Sequence, residues 1–143
     1  MKRAGLLVAA ALSVATPASA DSVVDLTLDG RPVDRHSGVA VLHHGFVFAD
    51  AIDLTKCFDG FITLLRSGAA TITIGPNTGT FTPGLPRATV NDTVVPLPAA
   101  PFRRNGDLFV PLEAFITSIA AAKVRFNAAR RHADIRVNAR DRR

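Results

Sequence analysis

Laid against itself at an offset of 63 residues, the chain partly repeats. Val47 falls on Val110, Asp50 on Glu113, Ala51 on Ala114, Ile72 on Ile135, Asp29 on Asp92 and Ile74 on Val137, whereas 57–63 and 120–126 correspond poorly. A period of this length is one supersecondary unit, and a unit so small cannot bury its apolar side alone. The expectation is an α+β chain of two similar units, each made of antiparallel strands and hairpins packed on one short helix, sharing one core. The first unit spans 21–75 and the second 88–138. Between them, 76–87 is dense in turn-formers, with Pro76-Asn77-Thr78-Gly79 and then Thr82-Pro83-Gly84-Leu85-Pro86, and reads as a linker.

The same local signals recur in both units. An opening strand at 23–28 runs into Asp29-Gly30, a pair suited to a two-residue hairpin because both central positions need positive φ. Its counterpart joins 88–90 to Asn91-Asp92, without the glycine. Next come polar turns, His43-His44-Gly45 and Arg103-Arg104-Asn105-Gly106-Asp107, each feeding a short apolar strand at 46–48 or 108–110. Leu112, Phe115, Ile116 and Ile119 then recur at helical spacing behind Pro111, which fits a first helical turn where its missing N–H costs nothing. The matching helix, 51–58, rests on Ile52, Leu54 and Phe58. Each unit closes with two strands, 61–65 with 70–74 and 123–126 with 133–137. In the last, Ile135 and Val137 face one way and Asp134 and Arg136 the other, the period of a half-buried strand. If that strand or 23–28 lies at an open sheet edge, a partner strand can add to it through main-chain hydrogen bonds.

The first twenty residues belong to neither unit. Lys2 and Arg3 precede an apolar run from Leu6 to Val14, then Pro17 and the small-residue site Ala18-Ser19-Ala20. That is the pattern of a secretory signal cleaved between Ala20 and Asp21, and the run falls short of the roughly 20 residues a membrane-spanning helix needs. The chain is therefore expected to be exported, to the periplasm, cell envelope or medium, with no transmembrane helix after cleavage. Cys57 is the one cysteine, so no intramolecular disulfide forms and packing must hold the fold together.

Loss of Lys2 and Arg3 leaves 15 basic side chains against 12 acidic ones, so the net charge falls from +5 to +3. The excess is uneven. Arg130, Arg131, Arg136, Arg140, Arg142 and Arg143 crowd the C-terminal end, and 139–143 form a basic tail. Such an end suits attachment to an anionic wall polymer or lipid surface, at about 1 kcal/mol per charge near a membrane, or is simply a solvated terminus. Nucleic acid is not expected, because basic and aromatic residues do not interleave.

Residues 88–137 carry a more specific pattern: the polar turn Val90-Asn91-Asp92, the Ala100-Pro101 pair, the Asn105-Gly106 turn, Val110-Pro111-Leu112 at the start of the helix, and the closing hairpin 123–137. This resembles the copper amine oxidase N-terminal-like domain, or stalk domain, and 23–74 resembles a diverged copy. The resemblance implies an α+β unit of antiparallel strands on a helix, used as an accessory module of exported proteins, with no reaction of its own. It implies that the copper and the cofactor-forming tyrosine of the oxidases lie in a separate domain; this chain has no Tyr. Where the family usually has glycine, Ala121 or Ala122 stands here.

Residue chemistry was weighed beside that resemblance. His36, His43, His44 and Cys57 supply donor types that suit copper or zinc, but no His-x-His, Cys-x-x-Cys or His-Glu-x-x-His spacing joins them. The competing readings are surface histidines in a turn and a small buried cysteine side chain. No serine sits in a Gly-x-Ser-x-Gly elbow, and Pro76-Asn77-Thr78-Gly79 has no lysine behind it for phosphate. Asp50, Asp53 and Asp59 read as helix-end and turn residues rather than paired catalytic carboxylates. No catalytic residue and no cofactor is nominated. The expected activity is binding, to an unidentified protein or cell-envelope polymer, and the alternative is a small exported metal-binding protein.

Overall fold

The computed structural model describes residues 21–33 and 40–137. The signal segment with Ala20, the candidate ligand His36 and the basic tail lie outside the described residues. The described fold is α+β. Its strands in chain order are β1 (Ser22–Leu28), β2 (Arg31–Pro32), β3 (Ala40–His43), β4 (Phe46–Asp50), β5 (Phe61–Leu64), β6 (Ala70–Ile74), β7 (Asn77–Phe81), β8 (Arg87–Val90), β9 (Thr93–Pro96), β10 (Phe102–Arg104), β11 (Asp107–Pro111), β12 (Lys123–Asn127) and β13 (His132–Arg136). Helix α1 (Ala51–Cys57) follows β4, and α2 (Leu112–Phe115), continued by the π-helical turn Ile116–Ala120, follows β11.

Two sheets result. One is an antiparallel meander in the order β9-β8-β7-β6-β5. The other runs β10-β11-β4-β3-β1-β13-β12, with β2 paired on β1 as its eighth strand. Both helices touch strands of both sheets. The core fills this space with Phe81, Phe115, Leu54, Leu112, Ile72, Ile116, Ile119 and Ile135, all fully buried. A smaller cluster of Val41, Phe48 and Phe109, backed by Ala99 and Phe102, covers part of the other face of the larger sheet.

The helix starts are set locally. Asp50 caps α1, its Oδ1 accepting from the Ile52 N–H at 2.7 Å. Pro111, expected in the first turn of its helix, instead occupies the N-cap position with extended backbone and ends β11 opposite Phe48. Both opening hairpins form. Asp29 and Gly30 take positive φ, and so do Asn91 and Asp92, because Asn and Asp tolerate the left-handed region that glycine would otherwise supply.

The segment 76–87, expected as a linker, carries β7, which pairs with β6 on one side and β8 on the other. The condition set for strand addition, that 23–28 or the last strand lie at an open edge, is not met where these two strands pair with each other. β13 lies between β1 and β12, and β1 pairs with β3 along Ser22–Val24 and with β13 along Asp25–Leu28. Their mutual pairing is parallel, with Asp25 opposite His132 and Thr27 opposite Asp134, and it joins the two halves of the chain rather than strands within one of them. These strands come from opposite ends of the chain, a contact that no local turn signal encodes.

Candidate functional site

Strands β1, β13 and β12 lie side by side, and their alternation sorts side chains by face. Val24, Leu26, Ala133 and Ile135 point into the core and are buried. The opposite face carries Asp25, Thr27, His132, Asp134, Arg136, Arg125 and Asn127. The register brings them into rows, Asp25 beside His132 and Asn127, and Thr27 beside Asp134 and Arg125. With Gly30 and Arg130 they line a concavity of about 460 Å³.

Asp134 organises this face. It is only 9% exposed, and its Oδ1 accepts from the Thr27 hydroxyl at 2.6 Å and the Gly30 N–H at 3.2 Å. Its Oδ2 is paired with the Arg136 guanidinium. Burial works to raise the Asp134 carboxyl, but the hydrogen bonds from Thr27 and Gly30, followed by the charge of Arg136, outweigh it and hold the group below the usual carboxylate range. The hydroxyl proton of Thr27 is committed to this carboxylate. The 3.0 Å contact between Thr27 Oγ1 and His132 Nε2 therefore has the ring nitrogen as donor. Arg125 and Arg130 are left at the rim as exposed guanidiniums. Asn127 Oδ1 accepts from the Arg130 N–H at 3.1 Å, which fixes the turn that carries Arg130. Guanidiniums around a shallow polar hollow suit the oxygens of a phosphate or carboxylate, which they can grip through two parallel N–H bonds.

Of the metal candidates among the described residues, His43 and His44 lie together, and Cys57 lines a separate hollow. His43 Nδ1 contacts Asp21 Oδ1 at 2.8 Å, and Arg104 pairs with the other Asp21 oxygen. Burial works to raise the Asp21 carboxyl, yet the bonds from Arg104 and His43 hold it below its ordinary range. His43 also stacks on His44, with ring centroids 4.0 Å apart, and tilts against Phe102. Cys57 lines a different hollow with Lys56, Arg31 and Leu28. Among the described residues no group of three His, Cys, Asp or Glu side chains is placed to hold a metal ion.

Asp21 and Arg104 were missed as a pair because 83 residues separate them. The polar face was partly visible in the alternation of 133–137, but its completion by Arg125 and Thr27 depends on pairing across the whole chain. Among the described residues no helix is long and apolar enough to cross a membrane.

The family profile described as the copper amine oxidase N-terminal domain matches residues 62–135, from β5 to β13. That span includes most of the stretch that carried the resemblance and extends N-terminally past Ala88. Comparison with curated proteins and with solved structures finds no match.

Proposed function

The chain belongs to the copper amine oxidase N-terminal domain family, and from that premise we propose that it is an exported, non-catalytic module that binds an anionic polymer of the cell envelope. The observation that carries the reading is the hollow on the outer face of β1, β13 and β12, where Arg125 and Arg130 stand free at the rim of a network fixed by Asp134. The signal-like first twenty residues support export. The family supports an accessory role, since the N-terminal domain of the amine oxidases is not their catalytic part. The correspondence at 63 residues supports two related units: the pair Phe48 and Pro111, opposite each other between β4 and β11, differ by that same offset, as expected at a pseudo-two-fold axis.

The test is co-sedimentation of the purified protein with isolated envelope material at low and high salt, beside Arg125→Ala/Arg130→Ala. Exposed charges are screened within about 8 Å at physiological ionic strength, so binding through this face weakens as salt rises. Binding that the double substitution reduces at least tenfold supports the reading. Undiminished binding by the double variant, or no binding at either salt, overturns it.

A further inference from the structure

Sheet margins attract other strands unless they are blunted. Most of the described margins here are. β10 carries Arg103 and Arg104, β12 carries Lys123 and Arg125, and β9 ends in Pro96, as β2 ends in Pro32. β5 is the exception. Its sequence, Phe61-Ile62-Thr63-Leu64, holds neither charge nor proline, and it is the last strand of the five-stranded sheet. Phe61 is 78% exposed, Leu64 54% and the following Leu65 43%, so apolar side chains stand clear on both faces of this margin.

We infer that β5 pairs antiparallel with β5 of a second copy, about a two-fold axis at Thr63, joining the two five-stranded sheets into one. The backbone sets the register. Leu65 donates to Ala69 across the β5–β6 pair at 2.8 Å, and alternation then turns the N–H and C=O groups of Thr63 and Phe61 inward and those of Ile62 and Leu64 outward. With the axis at Thr63, Ile62 meets the partner's Leu64 in a hydrogen-bonded pair on each side. Phe61 lies opposite the partner's Leu65, covering the most exposed apolar ring of the chain. Arg66 falls beside the partner's Asp59, so the opposite charges that flank the strand complement each other.

The outer face of this sheet adds a second reason for that register. Thr63, Thr71, Thr80 and Thr89 stand in one row across β5, β6, β7 and β8. Hydroxyls in this sheet already join across strands, Thr71 to Thr80 at 3.2 Å and Thr73 to Thr78 at 3.0 Å. Pairing Thr63 with its own copy continues the row through the axis, and cross-strand threonine pairs are favourable. A slipped register would instead set Thr63 against an apolar side chain.

Thr63 faces its copy in a non-hydrogen-bonded position, where Cα atoms approach to about 4.5 Å, within the range a disulfide spans. In a Cys57→Ser background, Thr63→Cys is expected to form a covalent dimer under mild oxidation. Thr78→Cys, on the same face two strands away, is expected to form no covalent cross-link. Sedimentation equilibrium of the purified protein should show a reversible dimer. Leu64→Lys, which adds a charge at the margin, should weaken it at least tenfold with unchanged circular dichroism and melting temperature. A protein still monomeric at about 1 mM, equal cross-linking at the two cysteine positions, or a dimer indifferent to Leu64→Lys would each overturn the inference.

Discussion

Replacing Asp134 by alanine removes the acceptor that joins three parts of the chain: Thr27 on β1, Gly30 in the first hairpin turn and Arg136 on β13. The Arg136 side chain is 62% exposed, so its pairing is worth at most about 1 kcal/mol after solvent screening. The bonds from Thr27 and Gly30 go to a charged and largely buried oxygen, where about 1.5–3 kcal/mol each is usual, but water can reach the vacated donors at this outer face. The combined loss is about 2–3 kcal/mol, read as the shift in urea midpoint at constant slope. Asp134→Asn keeps an oxygen for Thr27 and Gly30 and loses the charge, so about 1 kcal/mol is expected. The pH dependence separates charge from shape. The folded carboxyl titrates below its ordinary value, so its charge contributes fully above the unfolded pKa of about 3.9 and is lost as pH falls through the lowered folded value. The gap between the native protein and Asp134→Asn should be flat from neutral pH to about pH 5 and close below about pH 4. Asp21 titrates in the same direction in both proteins and cancels from the difference. A gap that is the same at low and neutral pH, or an alanine variant within about 0.5 kcal/mol of the native protein, refutes the reasoning.

Two further substitutions test backbone fit. A Cβ on Gly60 would stand 2.5 Å from the Thr73 carbonyl oxygen, a backbone atom held in the β5–β6 pairing, whereas on Gly79 it would meet Ile119 Cδ1, a side-chain end that can turn away. Gly60→Ala should therefore cost about 3 kcal/mol and Gly79→Ala about 1 kcal/mol in urea unfolding, and a reversed order counts against this packing. Ala121 ends the π-helical turn with φ 53°, in the left-handed region that glycine adopts without a Cβ clash. Ala121→Gly is expected to raise stability by about 0.5–1 kcal/mol, seen as a higher melting temperature, and a fall would show the strain to be absent.

Local chemistry was legible in the sequence and long-range pairing was not. Leu112, Phe115, Ile116 and Ile119 announced a helix and alternation announced 133–137 as a half-buried strand, whereas β7 was hidden among the turn-formers of 76–87. The Asn91-Asp92 turn lacked glycine, yet it closes as tightly as Asp29-Gly30, since both residues adopt positive φ. The π-helical form of Ile116–Ala120 was hidden because its apolar spacing satisfies an ordinary helix over so few residues. The polar face of β1, β13 and β12 escaped for a different reason. Thr27 and Asp134 are 107 positions apart, and their contact depends on the parallel register of β1 and β13. The margins were misplaced for the same reason: β1 and β13 each look like terminal strands in sequence order, and they cover each other in space.

That exchange of strands makes a last prediction about cooperativity. β1 opens the first half, carrying β2 on one side, but bonds to β13 of the second, while β8 and β9 open the second half and reach β6 of the first through β7. β4 and β11 meet between the halves, Phe48 opposite Pro111. A chain cut between Gly84 and Leu85 therefore leaves neither piece a closed sheet. The first piece would lose the partners of β1 and β4, and the second those of β8, β11 and β13, exposing backbone groups and one side of the shared core. Each piece alone should lack a cooperative thermal transition, while an equimolar mixture should regain the near-native circular dichroism of the intact chain in a concentration-dependent way. Closing a nick costs only the bimolecular term, so the mixture needs no new contact to fold. If either piece melts cooperatively by itself, the two halves are independent domains and the sheet pairings between them contribute little to stability.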